Sequence, residues 1–343
     1  MLTIDGAAGG GQLLRTALGL GTVTDTPFRI EDVRSDRPDP GLKPQHLEAV
    51  RLVAELCDAE VTGDDLGSTT LTFRPGSARR TPLQADIGTA GSVTLLFDTA
   101  LPIAATYDGP FRLTATGGTN VKWAPTVEYH QLVKLPLLAN WGVEADVDVR
   151  GTGFYPAGGG EATFDVSPSS LSPFDLGTRG DLERVEVHSK AAAELAERDV
   201  AERQARGARD ALADADVPAE IRAIDYVPTR SLGSSLLLRG VYERTLAGFD
   251  ALGEPGRTAE EVAQRAVRQF TAFHAGDAPV DPFMADQLMV VLALAGGRVR
   301  IPTATAHVRT NLDLVAAFGS DMRLDRRAEG TPALEASPLP GLA

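Results

Sequence analysis

The chain repeats one pattern three times, and this repeat limits the possible folds more than any other feature. Helical patterns rich in leucine and alanine begin near Gly9, Gly88 and Ala285, and each is followed by a strand that reads PFRI, PFRL or RVRI. A second helix and a second strand follow in each copy. Helices and strands that alternate at this spacing indicate a repeated α/β unit.

Each repeat must bury the apolar faces of two helices, and packing both on one face of a sheet achieves this. We therefore predict a two-layer α/β fold of three repeated units, each with two helices on a four-stranded sheet. A stretch with charged amphipathic helices interrupts the third copy. We predict a repeat-built domain over 1–181 and 278–330, a smaller inserted α/β domain over 182–277, and a loose tail over 331–343, which lacks periodicity.

The composition indicates an acidic surface. The formal net charge is −14, and only four of the 33 basic residues are lysine. This pattern is typical of proteins that stay soluble in concentrated salt, which favours a halophilic source, whereas codon bias in a GC-rich genome is the alternative explanation. An acidic surface disfavours general binding to phosphates. A nucleic-acid substrate would therefore need local positive charge that grips one end of a strand.

Cysteine content and hydropathy exclude several classes of protein. The single cysteine, Cys57, excludes a disulfide framework and a cysteine-based zinc site, and it fits a reducing cytoplasm. No apolar run is long enough to span a bilayer, and the start MLTIDG carries no signal-peptide pattern. We therefore expect a cytoplasmic protein without a membrane partner. Nothing in the sequence indicates an oligomeric state.

Glycine-rich segments stand before several predicted helices. DGAAGGGQLLRTAL and IGTAGSVTLL place glycines directly before a helix, RSDRPDPGLKPQHL is a basic, proline-stiffened loop, and GFYPAGGGE is a turn. Backbone N–H groups at such helix starts can face an anion. None of these segments is a Walker A or Rossmann fingerprint, and each one alone is more often tight packing than a phosphate site.

His307 stands in ATAHVRTNLDLVAAFG, where a strand pattern changes to a helical one. From the sequence alone, a histidine at a helix start is most often a residue that touches only solvent or backbone. The positive end of the helix dipole also disfavours a protonated imidazole and favours a neighbouring anion, which suits a nitrogen that attacks a phosphate. Thr310 or Asn311 could cap this helix.

Taken together and in this order, the motifs resemble one family, the RNA 3′-terminal phosphate cyclases. The resemblance covers nearly the whole chain and includes the position of the inserted domain. Each motif alone is weak, whereas the combination is specific. The matching segments are IDGAAGGGQLLRTAL, RSDRPDPGLKPQHL, GSTTLTFRPG, IGTAGSVTLLFDTALP, GGTNVKWAPTVEY, GFYPAGGGE, ADQL and HVRTN.

The resemblance implies an enzyme that uses ATP to act on an RNA 3′ end. In this family a histidine attacks the α-phosphorus of ATP, forms a covalent histidinyl-AMP and releases pyrophosphate. The AMP passes to the RNA 3′-phosphate, and the neighbouring 2′-hydroxyl then closes a 2′,3′-cyclic phosphate and expels AMP. The resemblance implies ATP and a divalent metal, Mg²⁺ or Mn²⁺, as cofactors.

The resemblance also implies roles for particular residues. The family's His-x-x-Thr-Asn motif falls on His307, Thr310 and Asn311, so His307 is the expected nucleophile. Arginines near the phosphates fall on Arg15 and Arg37, and a guanidinium fork suits phosphate oxygens. The other positions expected to contact the nucleotide are Gln12, Gln45, Phe283, Asp286 and Gln287.

Several of these assignments have alternatives. Asp286 would hold a ribose hydroxyl, a metal or the imidazole, and Phe283 would stack on adenine or pack in the core. His46 would line the site or only pack beside the basic loop. Arg34 could be an ordinary surface arginine, while His130, His188 and His274 are expected to be structural or surface residues.

One departure from the family pattern concerns the first glycine-rich loop. The family usually has a glutamate just before the Gly-Gly-Gly-Gln run, whereas DGAAGGGQ is two residues shorter and lacks the acid, so the metal ligand stays unknown. The alternative function is a non-catalytic ribosome-assembly scaffold of the same fold, although that branch of the family lacks the nucleophilic histidine. Enolpyruvyl transferases are built from similar units, but their lysine-rich motifs do not occur in this sequence.

Overall fold

The first repeat is a two-layer unit in the computed structural model, which describes residues 1–7, 9–325 and 331–341. Its elements are β1 (Leu2–Asp5), α1 (Gly11–Val23), β2 (Phe28–Glu31), α2 (Pro44–Cys57), β3 (Glu60–Thr62) and β4 (Leu71–Arg74). The strands form a sheet in the order β1-β2-β4-β3, in which β1 and β2 are parallel and the other neighbours are antiparallel.

The second repeat has the same strand order, β5-β6-β8-β7. Its elements are β5 (Leu83–Asp86), α3 (Val93–Ala105), β6 (Phe111–Gly117), α4 (Val127–Tyr129), α5 (Leu135–Leu138), β7 (Ala145–Gly151) and β8 (Gly160–Val166). A π-helical turn over His130–Lys134 joins α4 to α5, so that the second helical segment of this repeat is continuous but irregular.

The third repeat opens with β9 (Phe174–Leu176), and the chain then forms the inserted unit before it returns. The inserted elements are β10 (Leu182–Ala192), α6 (Val200–Ala213), β11 (Ala219–Val227), β12 (Ser234–Tyr242), β13 (Leu246–Gly253) and α7 (Ala259–His274). The four strands form a sheet of their own in the order β11-β10-β12-β13. The two helices pack on it around a separate apolar core.

The third repeat is completed after the insertion. Its remaining elements are α8 (Met284–Ala295), β14 (Gly297–Arg300), α9 (Ala306–Ala317), β15 (Arg323–Asp325) and β16 (Ala333–Ala336). The strand order β9-β14-β16-β15 repeats that of the first two units. The predicted fold of three two-layer units with an inserted α/β unit is therefore confirmed, while the exact limits of the domains stay a prediction. In the part of the chain that the structure describes, no helix has the length and apolar character of a membrane span.

The prediction of a loose tail over 331–343 is wrong for the central part of this segment. Residues 326–330 and 342–343 lie outside the described residues. Strand β16 pairs antiparallel with β14 on one side and β15 on the other. Leu334 and Leu339 are buried. A four-residue strand between prolines is too short to produce a visible alternating pattern, so pairing with distant strands decides its structure.

The leucine- and alanine-rich helices of the three repeats meet in one core. Helix α1 packs against α3 and α9, and α8 packs against the same two helices. Gly19 permits the close approach of α1 to α3, because a Cβ at this position would lie 2.5 Å from Cγ of Pro102. Polar residues on these helices are consequently held near one another.

We predict that Leu334→Ala destabilises the protein, because Leu334 is fully buried in an inner strand. Removal of a buried leucine side chain costs about 2–5 kcal/mol of unfolding free energy. Leu66→Ala is the matched control, since Leu66 is 64% exposed and its loss should change stability by no more than about 0.5 kcal/mol. Chemical denaturation of both variants measures the difference, and equal stabilities would contradict the inner position of β16.

Candidate active site

Positively charged side chains surround the glycines at the start of α1. A Cβ on Gly11 would lie 2.5 Å from Nε2 of His46 and 2.8 Å from Nη1 of Arg15. A Cβ on Gly10 would lie 3.7 Å from Nη2 of Arg37, which is exposed. The glycines thus leave open the space in which two predicted phosphate-binding arginines and a histidine meet. The position of the missing glutamate, Ala8, lies outside the described residues.

His46 shows the electrostatic character of this corner. Its Nδ1 accepts a hydrogen bond of 3.2 Å from the backbone N–H of Lys43 at the start of α2. Burial, and then the positive charges of Arg15, Arg34 and Lys43, lower the pKa of His46 to about 3. The imidazole is therefore neutral near pH 7, and an anion is the ligand that this corner favours.

Arg34 and Arg37 have different roles although they lie three residues apart. Nη1 of Arg34 donates hydrogen bonds to the carbonyl oxygens of Asp39, at 3.1 Å, and Gly41, at 3.0 Å. Arg34 thereby closes its own loop and is more than a surface arginine. Arg37 is exposed at the edge of the glycine segment and is free to reach a ligand.

Asp286 connects the first repeat to His307. It lies in the first turn of α8 and accepts a hydrogen bond from the side chain of Gln12 on α1. Burial raises the pKa of Asp286, whereas the charge of His307, the bond from Gln12 and the charges of Lys134 and Arg15 lower it. The carboxylate of Asp286 therefore interacts electrostatically with both the predicted nucleophile and the arginine of α1.

His307 is exposed and is the second residue of α9. The cap of this helix is Thr305, whose Oγ1 accepts a hydrogen bond of 3.2 Å from the backbone N–H of Val308. The expectation that Thr310 or Asn311 caps the helix is wrong, because both lie inside it, beyond the turn whose N–H groups are free. Asn311 is buried, and its Nδ2 has no hydrogen-bond partner among the described residues.

The remaining predicted residues lie on three elements. Oε1 of Gln45 accepts a hydrogen bond of 3.3 Å from the backbone N–H of Ser92, directly before α3. Gln287 on α8 has a buried Oε1 that no described group satisfies. Phe283 precedes α8 and is 46% exposed, so it is not a core residue. Thr310 is half-buried within α9, one helical turn after His307.

A buried ionic cluster lies behind Arg15. One carboxylate oxygen of Asp98 on α3 accepts hydrogen bonds from Lys134 Nζ at 2.6 Å and from His130 Nε2 at 2.9 Å. Burial tends to raise the pKa of Asp98, but Lys134 and His130 hold it well below its usual range. Burial lowers the pKa of Arg15, and the charges of Asp98 and Asp286 oppose this effect. The cluster thus helps to keep Arg15 charged.

The chain matches known proteins over most of its length. A family model described as RNA 3′-terminal phosphate cyclase matches residues 7–322. A protein of that name from Halobacterium salinarum is 42% identical over 98% of this chain and 100% of its own length. The chain belongs to the RNA 3′-terminal phosphate cyclase family.

Other comparisons agree with this membership or are too weak to bear on it. RNA 3′-terminal phosphate cyclases from Saccharolobus islandicus and Hyperthermus butylicus are 38% and 40% identical, over 95% and 92% of this chain and 96% and 90% of their own lengths. The enolpyruvyl transferase NikO from Streptomyces tendae has a TM-score of 0.40 and 12% identity, over 98% of this chain and 48% of its own. That likeness is too weak to indicate a shared fold or function.

Asp98 and Lys134 are not among the residues predicted from the sequence of this RNA 3′-terminal phosphate cyclase family member. A signal was present, because each places one charge within an otherwise apolar helical segment, VTLLFDTALPIAA and HQLVKLPLL. Buried charges of opposite sign on two helices predict that the helices face each other. His130 is a buried structural residue rather than a surface one, and its partner in the buried cluster is Asp98.

We predict that Lys134→Met strongly destabilises this family member, because it leaves Asp98 without its closest cation in a buried position. Breaking a buried ion pair by removal of one partner costs about 3–5 kcal/mol. The double variant Asp98→Leu with Lys134→Met should recover part of this loss. Urea denaturation measures the unfolding free energies.

The matched control for Lys134→Met is Arg80→Ala. Arg80 pairs with Asp58 at 2.8 Å, and both side chains are more than half exposed. Loss of such an exposed pair changes stability by about 0–1 kcal/mol. A loss for Lys134→Met as small as that for Arg80→Ala would show that the buried cluster contributes little.

Proposed function

We propose that the protein uses ATP to convert an RNA 3′-phosphate to a 2′,3′-cyclic phosphate, through a covalent histidinyl-AMP on His307. The observation that carries the proposal is the position of His307. It is exposed on the first turn of α9, near enough to Asp286 for its charge to lower the pKa of that carboxylate, and Asp286 is linked to the arginine-lined glycine segment through Gln12. Nucleophile and phosphate-binding groups are thus assembled from two repeats.

In the first step an imidazole nitrogen of His307 attacks the α-phosphorus of ATP. A P–N bond forms, the P–O bond to the leaving group breaks, and pyrophosphate departs. Arg15 and Arg37 neutralise the charge that accumulates on the phosphate oxygens, since guanidinium groups bind such oxygens with two parallel hydrogen bonds. Asp286 orients the imidazole and stabilises it while it carries positive charge.

In the second step an oxygen of the RNA 3′-phosphate attacks the same phosphorus. The P–N bond breaks, and the RNA end carries AMP through a pyrophosphate linkage. The terminal 2′-hydroxyl then attacks the 3′-phosphorus, which closes the ring and expels AMP. The hydroxyl proton passes to a base or to solvent. AMP and pyrophosphate are the products of one turnover.

Two unsatisfied buried atoms support nucleotide binding near His307. Oε1 of Gln287 and Nδ2 of Asn311 have no hydrogen-bond partner among the described residues. Such atoms are uncommon in folded proteins, and a bound ligand or ordered water is an ordinary explanation. We assign them to the nucleotide site together with Gln45 and Thr310. Phe283, half-exposed before α8, supplies a ring for the adenine.

The divalent metal is expected to arrive with ATP. Across the described ranges, no group of three or more His, Cys, Asp or Glu side chains is placed to hold a metal ion. Magnesium commonly binds through substrate phosphates with only one or two carboxylates, and Asp286 is the candidate carboxylate here.

The amino-acid composition supports a location in the cytoplasm of a halophilic organism. The buried free thiol of Cys57 fits a reducing cytoplasm, where ATP and RNA are available. The acidic, lysine-poor composition supports a halophilic protein, and the similarity to a Halobacterium salinarum protein agrees with it. A non-catalytic scaffold is the second candidate function, and the presence of His307 in HVRTN argues against it.

We predict that ATP labelled at the α-phosphate, incubated with the protein in the absence of RNA, leaves an acid-labile label on the protein. His307→Ala should abolish the label, because no nucleophile then faces the phosphate. His274→Ala is the matched control, since His274 lies in the inserted unit and should leave labelling unchanged. Persistence of the label in His307→Ala would refute the assignment, and absence of label in the wild type would favour the scaffold.

We further predict that Arg15→Ala and Arg37→Ala each lower cyclase turnover by about tenfold or more. A charge-assisted hydrogen bond to phosphate contributes about 1.5–3 kcal/mol, and each 1.4 kcal/mol corresponds to a factor of ten. Lysine at either position should restore activity only in part, because an ammonium group cannot bridge two oxygens as a guanidinium does. Arg209→Ala, on the exposed face of α6, is the control. Full activity in both alanine variants would exclude a phosphate-binding role.

A further inference from the structure

Trp123 is exposed to an extent that the fold itself does not explain. Its side chain is 93% exposed, more than any other large apolar side chain in the described ranges. Its backbone φ is +62°, a conformation that bulky residues seldom adopt and that the surrounding loop must impose. A strained backbone that holds a tryptophan in solvent indicates a surface that binds something flat or apolar.

A second exposed aromatic residue lies in the adjacent loop. The segment before Trp123 pairs with the segment before Tyr155 through a parallel bridge between Asn120 and Phe154. Tyr155 follows Phe154 directly and is 60% exposed, while Phe154 itself is buried. Two exposed rings are therefore carried by two loops that run side by side.

Arg230 adds positive charge to the same surface. It is exposed, and a Cβ on Gly159 would lie 2.6 Å from its Nε and 3.0 Å from its Cζ, so the guanidinium group lies across the turn that follows Tyr155. The backbone N–H of Ala157 donates a hydrogen bond of 3.0 Å to Ser231, which fixes this loop of the inserted unit on the turn. Among the described residues, Arg230 forms no ion pair within 4.0 Å.

This surface continues into the candidate active site. A Cβ on Gly158 would lie 2.9 Å from Cα of Ala90, and one on Gly91 would lie 3.2 Å from Cβ of Gln45. Gln45 belongs to the proposed nucleotide site. The path from the exposed rings to that site therefore passes Gly158, Ala90 and Gly91, whose side chains are small or absent.

We propose that Trp123, Tyr155 and Arg230 form an aromatic platform that binds the single-stranded RNA nucleotides preceding the terminal 3′-phosphate. The proposal rests on the function proposed above, since that function brings the RNA 3′-phosphate to the nucleotide site, to which Gln45 is assigned. Bases stack on the two rings, and Arg230 contacts a backbone phosphate. Stacking accepts any base, because each base presents a flat face.

The charge of the protein favours stacking over a broad basic groove. With a net charge of −14, the chain repels a polyanion over most of its surface. Phosphate contacts also weaken as salt rises, whereas stacking does not depend on the release of counterions. Two rings and one arginine without an ion pair within 4.0 Å are therefore a means of holding RNA that tolerates concentrated salt.

The test uses RNA oligomers that end in a 3′-phosphate, either two or about ten nucleotides long. The chain has two tryptophans, and Trp141 is fully buried, so intrinsic fluorescence reports mainly on Trp123. The longer RNA should quench this fluorescence and bind more tightly than the dinucleotide. Trp123→Ala or Tyr155→Ala should weaken binding of the longer RNA by about five- to 150-fold, the factor that corresponds to stacking of one base, and should leave dinucleotide binding unchanged.

Salt dependence separates the roles of the three residues. Arg230→Gln should reduce the slope of log affinity against log salt by about 0.7, the value for one phosphate contact with a single strand. Trp123→Ala should leave the slope unchanged. Arg209→Gln is the matched control, because Arg209 is exposed on α6 and paired with Asp210. An equal slope for Arg230→Gln and Arg209→Gln would remove Arg230 from the platform.

Labelling by ATP without RNA distinguishes the two proposals. If the wild type and the platform variants all form the AMP adduct but bind long and short RNA equally well, the platform is refuted and the proposed function stands. If the wild type forms no adduct, the proposed function fails, whatever the RNA affinities are. Loss of self-association in Trp123→Ala, seen by light scattering without a change in RNA binding, would show instead that the surface joins two copies of the chain.

Discussion

Arg15 is a half-buried cation whose charge is favoured by two carboxylates near it, and the candidate active site depends on this electrostatic balance. The arginine and the two carboxylates, Asp98 and Asp286, come from the leucine- and alanine-rich helices α1, α3 and α8, one from each repeat. Because these helices share a core, their few charged residues are confined to a small region, where desolvation makes pairing necessary. The site is thus a consequence of the repeat as much as of any single motif.

The second helical segment of each repeat supplies a histidine, and the three differ in their surroundings. His46 is enclosed by positive charge and is neutral. His130 is fully buried and bonded to Asp98, so it cannot reach a ligand without unfolding its surroundings. His307 alone is exposed on the first turn of a helix. Equivalent segments therefore place three histidines in different roles: His46 is a neutral residue near the arginines, His130 forms a structural hydrogen bond, and His307 is the proposed nucleophile.

The fold could be predicted from the sequence because the hydrophobic pattern recurs three times and the insertion differs from it in character. Features that depend on contacts between residues far apart in the sequence could not be predicted in this way. Strand β16 forms only because it pairs with neighbouring strands of the sheet. The buried pair of Asp98 and Lys134 could be predicted only if it were known which helices face each other. Local signals also misled at one point: Thr305, rather than Thr310, caps α9, because the helix begins one residue before His307.

The central claim is that His307, and neither of the other two histidines on the repeats, accepts AMP. Mass spectrometry of the protein after incubation with ATP, with proteolysis at alkaline pH to preserve the P–N bond, tests it most directly. The account predicts one AMP group on the peptide that contains His307 and none on those that contain His46 or His130. An AMP group on the His46 peptide, or on a lysine, would contradict it.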